Sequence, residues 1–336
     1  MSSSNNLDSK PCIVVGAGKM GLLHGALAQR TEGLDVMGIV DSSFQSRMIA
    51  KGIGLRTPIF SDINRAQKGI ENGVAIICTP PSSHYSISKS FLENDWSVFV
   101  EKPLTMDPKK SLELHDIAES RSLFTQIGFQ QRFSPVIGFL KEMIAEESEK
   151  YGDKLVSIEA SILSPQFSQI EDSGLGLIRG GVEWDLFPHV IDLCLFLTDT
   201  RKLEETSILD SVVNGWKSIE AEISIGGTIN CSLRADWGTD EVRKVECSGK
   251  IEFGSGKKVR FDPDSVTMVE SGRVVFHRRK GANPSFEIAD QEYSFQMQHL
   301  SSILNSGNSF PSADFLTGWI VDSIISEISE VGNVDS

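Results

Sequence analysis

Cysteine is scarce in this chain. Cys12, Cys78, Cys194, Cys231 and Cys247 are the 5 present, an odd number, and they sit mostly inside apolar runs. They form no CxxC pair and no metal-ligand spacing, which excludes a disulfide framework and a thiolate metal site and leaves buried thiols in a reducing compartment, by default the cytoplasm. Long apolar runs are missing too: none approaches the roughly 18 residues that a membrane span needs. The stretch from Met1 to Lys10 is polar and rich in Ser and Asn, without the apolar segment of a signal peptide, and reads as a disordered tail over residues 1–10. Positive charge is the third shortage. Lysine and arginine number 32 against 46 acids, for a formal net charge of -14. Arg278-Arg279-Lys280 is a short cluster that reads as a solvated strand end or turn. A polyanion would be repelled by most of this surface, so a nucleic-acid partner is not expected.

What is present describes a globular protein. The chain has 336 residues, more than one ordinary core accommodates and suited to two domains. Its 40% apolar and 23% charged content separates it from disordered sequences.

A short apolar strand, Pro11 to Val15, runs into Gly16-Ala17-Gly18-Lys19-Met20-Gly21, and an apolar-periodic helix follows. This is GxGxxG between a strand and a helix. Gly16 allows the tight turn, Gly18 lets backbone approach a pyrophosphate, and Gly21 lets helix pack on strand. The helix N-terminus offers free N–H groups and the positive end of its dipole, so Lys19 and Met20 belong to the same candidate cofactor site. The next strand, Val36 to Val40, ends at Asp41. An acid there can accept from both ribose hydroxyls of an adenosine and would repel a 2′-phosphate, which favours NAD; an Asp opening a turn is the alternative. Arg47, close by in sequence, leaves NADP open.

A strand from Val74 to Cys78 leads into Thr79-Pro80-Pro81-Ser82-Ser83-His84, a stiff turn and the start of a helix. His84 by itself reads as a helix-start residue. The run Val98-Phe99-Val100 reads as a buried strand that stops at Glu101-Lys102-Pro103, since proline gives no N–H to a ladder. Strands of open parallel sheets present functional groups at their carboxyl ends, which makes Lys102 a candidate, although a lone lysine after a strand is more often solvated surface. A helix from about Pro108 to Arg121 and a strand from Phe124 to Phe129 complete the alternation of a doubly wound parallel sheet.

After Gly128 the pattern changes. A helix is expected from Val136 to Glu149, a strand from Leu155 to Leu163, and a long loop over residues 164–179. Gly180-Gly181 then precedes Val182-Glu183-Trp184-Asp185-Leu186-Phe187-Pro188-His189. Proline is tolerated in a first helical turn, so a helix is expected to begin near Trp184 to Phe187 and run to Leu197. If both are helical, Asp185 and His189 share a face by their i, i+4 spacing. An N-cap and a satisfied core histidine are the plainer readings of the two. Runs at Ile208 to Trp216, Ser218 to Ile225, Thr228 to Trp237, Val242 to Phe253 and Val266 to Phe276 read as strands of a mainly antiparallel sheet with one face free. Closing helices are expected at Gln291 to Leu304 and Ala313 to Ile328.

In order and spacing, Gly16/Gly18/Gly21, Thr79-Pro80 with His84, Glu101-Lys102-Pro103, Gly128-Phe129-Gln130-Gln131-Arg132-Phe133, Gly180-Gly181 and Asp185-x-x-x-His189 with Asp192 resemble the Gfo/Idh/MocA oxidoreductases. The resemblance runs over about residues 11 to 330. It implies an α/β fold in which an N-terminal Rossmann domain with a doubly wound parallel sheet, residues 11–128, precedes an α+β domain over 129–336 with a large, mainly antiparallel open sheet. Through that sheet it implies a homodimer or homotetramer. It further implies NAD(P)-dependent hydride transfer to or from a secondary alcohol or ketone of a polyhydroxylated small molecule: a sugar, a cyclitol or a nucleotide sugar. The family's catalytic lysine falls on Lys102 and its Asp/His pair on Asp185 and His189. His189 is the better candidate base, and Lys102 a cation for the developing alkoxide. Thr79, Pro80, His84, Glu101 and Lys102 would join the cofactor site. Gln130 and Arg132 would hold polar groups of the substrate beside Lys102, Asp185 and His189. Phe187, Pro188 and Arg179 depart from the family pattern on the side implied for the substrate. The resemblance also admits a non-catalytic dinucleotide sensor, and an NADP-dependent reductase of non-sugar carbonyls.

Overall fold

The computed structural model describes residues 9–52, 57–165, 180–238, 245–279, 291–306 and 313–332. Most of the loop expected over 164–179, with Arg179, lies outside the described residues, as do Lys280 and the first residues of the run from Val242. The chain divides into two compact units. The first comprises Met1–Thr105, Lys109–Gln130 and Phe286–Gly318; the second comprises Met106–Pro108, Gln131–Ser285 and Trp319–Ser336.

In the first unit the apolar runs fold as β1 (Lys10–Val15), α1 (Lys19–Ala28), β2 (Leu34–Val40), α2 (Phe44–Gly52), β3 (Ile59–Phe60), α3 (Ile63–Gln67), β4 (Val74–Ile77), α4 (His84–Glu93), β5 (Ser97–Val100), α5 (Pro108–Ser120) and β6 (Thr125–Ile127). The strands form a 6-stranded sheet in the order β3-β2-β1-β4-β5-β6, and every pairing is parallel. All residues of β4 are buried, as in a strand covered on both faces. The strand order reverses between β1 and β4, and the crevice at the carboxyl ends of such a pair is where open α/β sheets take ligands.

The second unit continues with α6 (Pro135–Tyr151), β7 (Leu155–Ser164), α7 (Val182–Asp185), α8 (Phe187–Leu197), β8 (Thr206–Asn214), β9 (Ser218–Ile225), β10 (Ile229–Trp237), β11 (Glu246–Phe253), β12 (Lys258–Asp262), β13 (Ser265–Glu270) and β14 (Arg273–Arg279). These strands form an 8-stranded sheet in the order β14-β13-β12-β11-β7-β10-β9-β8. Among the described strands of this second sheet, only β7 and β10 pair in parallel. The fold class expected from the sequence is therefore the one observed. Within it, the single strand expected from Val266 to Phe276 is a hairpin. Ser271 and Gly272 adopt φ of 48° and 78° and reverse the chain between β13 and β14. The expectation also passed over β12.

Two helices close the chain, α9 (Gln291–Ser306) and α10 (Phe315–Gly332). Met297, Leu300 and Leu304 of α9 join Cys12, Val14, Ile39, Ile76 and Phe99 in the core of the first unit. The first unit gives way to the second between Gln130 and Gln131. The chain returns to the first unit at α9, which buries its apolar face there.

Candidate functional site

The loop between β1 and α1 shows what each glycine does. At Gly16 a methyl group would lie 2.7 Å from the Cys78 carbonyl oxygen, and at Gly21 it would lie 1.8 Å from that of Gly16. Both are contacts that no side chain tolerates. At Gly18 the same position meets nothing within 4 Å. The chain is thus packed tightly beneath the loop and open above it. Gly18 caps α1 without a side-chain hydrogen bond, and the first turn holds no acid. Its N–H groups and dipole are left to an anion. Lys19 is exposed and Met20 half-buried at this turn.

Asp41, just past β2, is drawn into the same loop. One carboxylate oxygen accepts from the Ala17 N–H at 2.7 Å and the other from the Ser43 N–H at 2.8 Å. Each oxygen keeps a further lone pair for a ribose hydroxyl. The Arg47 guanidinium instead donates to the carbonyls of Asp41 and Ser42, at 2.7 and 2.8 Å. Glycine loop, uncapped helix and carboxylate fit a dinucleotide without a 2′-phosphate.

At the β4 edge, Thr79 is half-buried and Pro80 exposed, and the Thr79 hydroxyl accepts from Ser83 at 2.8 Å. His84, expected in the cofactor site, has backbone partners in this structure. It is fully buried, with Nδ1 2.8 Å from the Pro103 carbonyl and Nε2 2.8 Å from that of Thr79. Both ring nitrogens therefore face the backbone of the two strand-end loops and hold them together. Burial pushes its pKa down, while those two carbonyls and the Glu101 charge oppose the shift.

Glu101 still belongs to the ladder, since its N–H donates to the Ile77 carbonyl at 2.9 Å. Its carboxylate turns to α1, where His24 Nε2 lies 2.6 Å away. A methyl group at Gly128 would sit 2.9 Å from the same carboxylate, so Gly128 makes room for it. Burial first, and then the charge of Glu101, push the Cys78 thiol well above its ordinary value. Lys102 follows, half-exposed, at the carboxyl end of β5. Gln130 is half-buried, in a single 3-10 turn. Nothing in the sequence singled out His24; its place one helical turn beyond Gly21 was the available signal.

In the second unit the helix expected around Asp185 and His189 comes as two. Asp185 ends the one-turn helix α7, and α8 restarts at Phe187 with Pro188 in its first turn. Leu186, at φ -102°, marks the break. The His189 N–H donates to the Leu186 carbonyl at 3.0 Å. Asp185 is half-buried and His189 buried. Glu183 on α7 was not anticipated. Burial pushes its carboxyl pKa up, against a hydrogen bond donated by the Ser329 hydroxyl at 3.3 Å.

Arg132, expected to hold substrate, makes a buried ion pair. Its guanidinium meets the Asp192 carboxylate at 2.7 Å through one terminal nitrogen and at 3.0 Å through Nε. The two side chains are 7% and 1% exposed, and the guanidinium lies 5.0 Å from the centre of the Phe196 ring. This fork-shaped ion pair ties the turn after Gln130 to the middle of α8. Burial raises the Asp192 pKa and Arg132 draws it back.

Residues 10–129 match the family model described as the oxidoreductase family, NAD-binding Rossmann fold, of the Gfo/Idh/MocA group. The chain is 25% identical over 195 residues to the UDP-N-acetylglucosamine 3-dehydrogenase of Acidithiobacillus ferrooxidans, covering 58% of this chain and 56% of that protein. It is 31% identical over 141 residues to the inositol 2-dehydrogenase of Pseudarthrobacter chlorophenolicus, covering 40% of each. The chain thus spans about half the length of the curated relatives it matches. A levoglucosan dehydrogenase solved in complex with NADH shares the fold over 98% of both chains, with a TM-score of 0.80 at 18% identity. No helix among the described residues is long and apolar enough to cross a membrane.

Proposed function

We propose, from residues 10–129, which match the family model for the NAD-binding Rossmann fold of the Gfo/Idh/MocA oxidoreductases, that this protein is an NAD-dependent dehydrogenase. Its substrate in this reading is a secondary alcohol, or the matching ketone, of a sugar, cyclitol or nucleotide sugar. The observation that carries the proposal is the first unit's sheet edge. There the open face at Gly18 and the Asp41 carboxylate lie at the carboxyl ends of the same sheet that ends in Lys102. The names of the relatives support the substrate class.

Bound NAD would supply the hydride acceptor or donor. Gly18, Lys19, Met20 and the first turn of α1 would hold its pyrophosphate, and Asp41 a ribose diol. Arg47 is engaged with backbone carbonyls, which supports NAD over NADP. Lys102 brings a cation to the reacting oxygen and lowers the free energy of developing alkoxide charge. His189 takes the hydroxyl proton as general base, the role for which imidazole is the usual side chain. Asp185 orients His189 or a neighbouring substrate hydroxyl. A second copy of the chain is the proposed partner of the open face of the 8-stranded sheet. Glu159, Ser161, Lys250, Arg260, Val269 and Val274 line a shallow depression of about 600 Å³ there.

NADH absorbance, followed with a panel of cyclitols, sugars, sugar phosphates and nucleotide sugars, tests the reading. Lys102→Met and His189→Ala are each expected to lower turnover by about 10²-fold or more. NADH binding, read by fluorescence, should change little. Wild-type rates in either variant overturn the assignment of that residue. Bound NADH with no turnover on any substrate would replace the enzyme by a dinucleotide sensor.

A further inference from the structure

His24 is a polar side chain in the middle of a helix, fully buried, and its partner belongs to another element. It lies on α1, the helix that opens at the glycine loop, and Nε2 reaches the Glu101 carboxylate at 2.6 Å. The ring packs against Phe99 at 5.0 Å and Tyr293 at 5.8 Å between centres. Its Nδ1 is buried with no hydrogen-bond partner in the structure. Leaving that atom unpartnered disfavours folding, and a leucine of similar size would avoid it. The imidazole is therefore explained by what Nε2 does.

What Nε2 does is fix the residue before Lys102. Along extended chain, side chains alternate between faces. Phe99 and Glu101 share the face packed against α1, where His24 touches both. Lys102 is the next residue, at the bend that follows the strand. Glu101 is held at three points: its N–H by the Ile77 carbonyl, its carboxylate by His24, and the space behind that carboxylate by the missing side chain of Gly128. With Glu101 clamped, the backbone that carries Lys102 has little freedom left.

We infer that His24 is a positioning residue, which through Glu101 sets the place of Lys102 at the sheet edge and ties it to the helix of the dinucleotide loop. The inference rests on the role proposed for Lys102, but its effect on Lys102 is measurable without turnover. The readout is the rate at which Lys102 takes up a water-soluble acylating reagent, followed by peptide mass spectrometry on the full chain. His24→Leu removes the donor. His24→Gln restores one, since its amide nitrogen extends about as far as Nε2.

His24→Leu is expected to change the Lys102 labelling rate by at least about threefold, and His24→Gln to return it close to wild type. NADH affinity should stay within about threefold in both, with any loss of turnover falling on kcat rather than KM. If the leucine variant does not fold, His24→Asn, whose amide stops short of Glu101, takes its place. Unchanged labelling in the leucine or asparagine variant overturns the inference and leaves His24 as filling, whatever happens to the melting temperature. Changed labelling in a protein that turns over no substrate on the panel keeps the His24 coupling and removes the dehydrogenase reading.

Discussion

Gly18 and Gly21 differ in what a methyl group would meet, although a sequence pattern treats them alike. Gly18→Ala places its Cβ in open space at an ordinary φ of -74°, so the melting temperature should hardly move. NADH affinity should fall by about tenfold or more, because the methyl group stands where the pyrophosphate approaches. Gly21→Ala drives a Cβ into the Gly16 carbonyl and should destabilise the fold itself. Thermal melts and NADH fluorescence titrations of the two variants separate these outcomes. The part Gly21 plays could be read from sequence because the carbonyl it avoids, that of Gly16, lies in the same loop. His84 could not, since the Pro103 carbonyl it holds is 19 positions away. Its burial gives it a pH signature. Below the ordinary histidine value of about 6.5 the unfolded chain takes up a proton at this site that the folded chain resists. Stability should therefore fall as pH falls through that window, by at most roughly 1.4 kcal/mol per pH unit from this group. Melting temperatures between about pH 7.5 and pH 5 check it, and a His84→Asn variant should lose this part of the slope.

Secondary elements tested the hydrophobic pattern more severely than single residues did. Pro188 correctly announced a first helical turn. The break at Leu186 left no mark, since leucine suits a helix as well as the joint between two. The β13–β14 hairpin was missed for a related reason. Ser271-Gly272 is a turn signal inside a run whose β-branched residues outweighed it. Arg132 shows the same limit in electrostatics: an arginine in a motif loop reads as a ligand for substrate until its buried partner, Asp192, is seen on α8. Arg132→Ala would leave that carboxylate buried and unpaired, a loss of about 3–5 kcal/mol. Replacing both partners by leucine should recover most of it, because the desolvation of two charges is removed with their attraction. Urea midpoints of the single and double variants report the difference.

At the scale of the whole molecule, the two kinds of sheet were legible in the sequence and the place of α9 was not. Strand-helix alternation marks the parallel sheet and consecutive strands mark the antiparallel one, since both patterns are local. The placement of α9 is decided by tertiary packing, which periodicity alone does not reveal. At this scale the open sheet is the surface to test. Val274 is 63% exposed on β14, and burying it against a second copy would remove apolar area from water. Val274→Glu should weaken self-association by about tenfold or more, read by sedimentation, because a carboxylate buried without a partner is costly.

The packing of Met297, Leu300 and Leu304 beneath the first sheet also sets an order of events on the ribosome. When β6 leaves the exit tunnel, the parallel sheet has all its strands but lacks one covering helix. The whole antiparallel sheet is synthesised before α9 appears. During that interval the unit meant for the dinucleotide exposes an apolar face to water and to chaperones. The second unit's sheet can meanwhile assemble, so of the two units the one begun earlier is completed later.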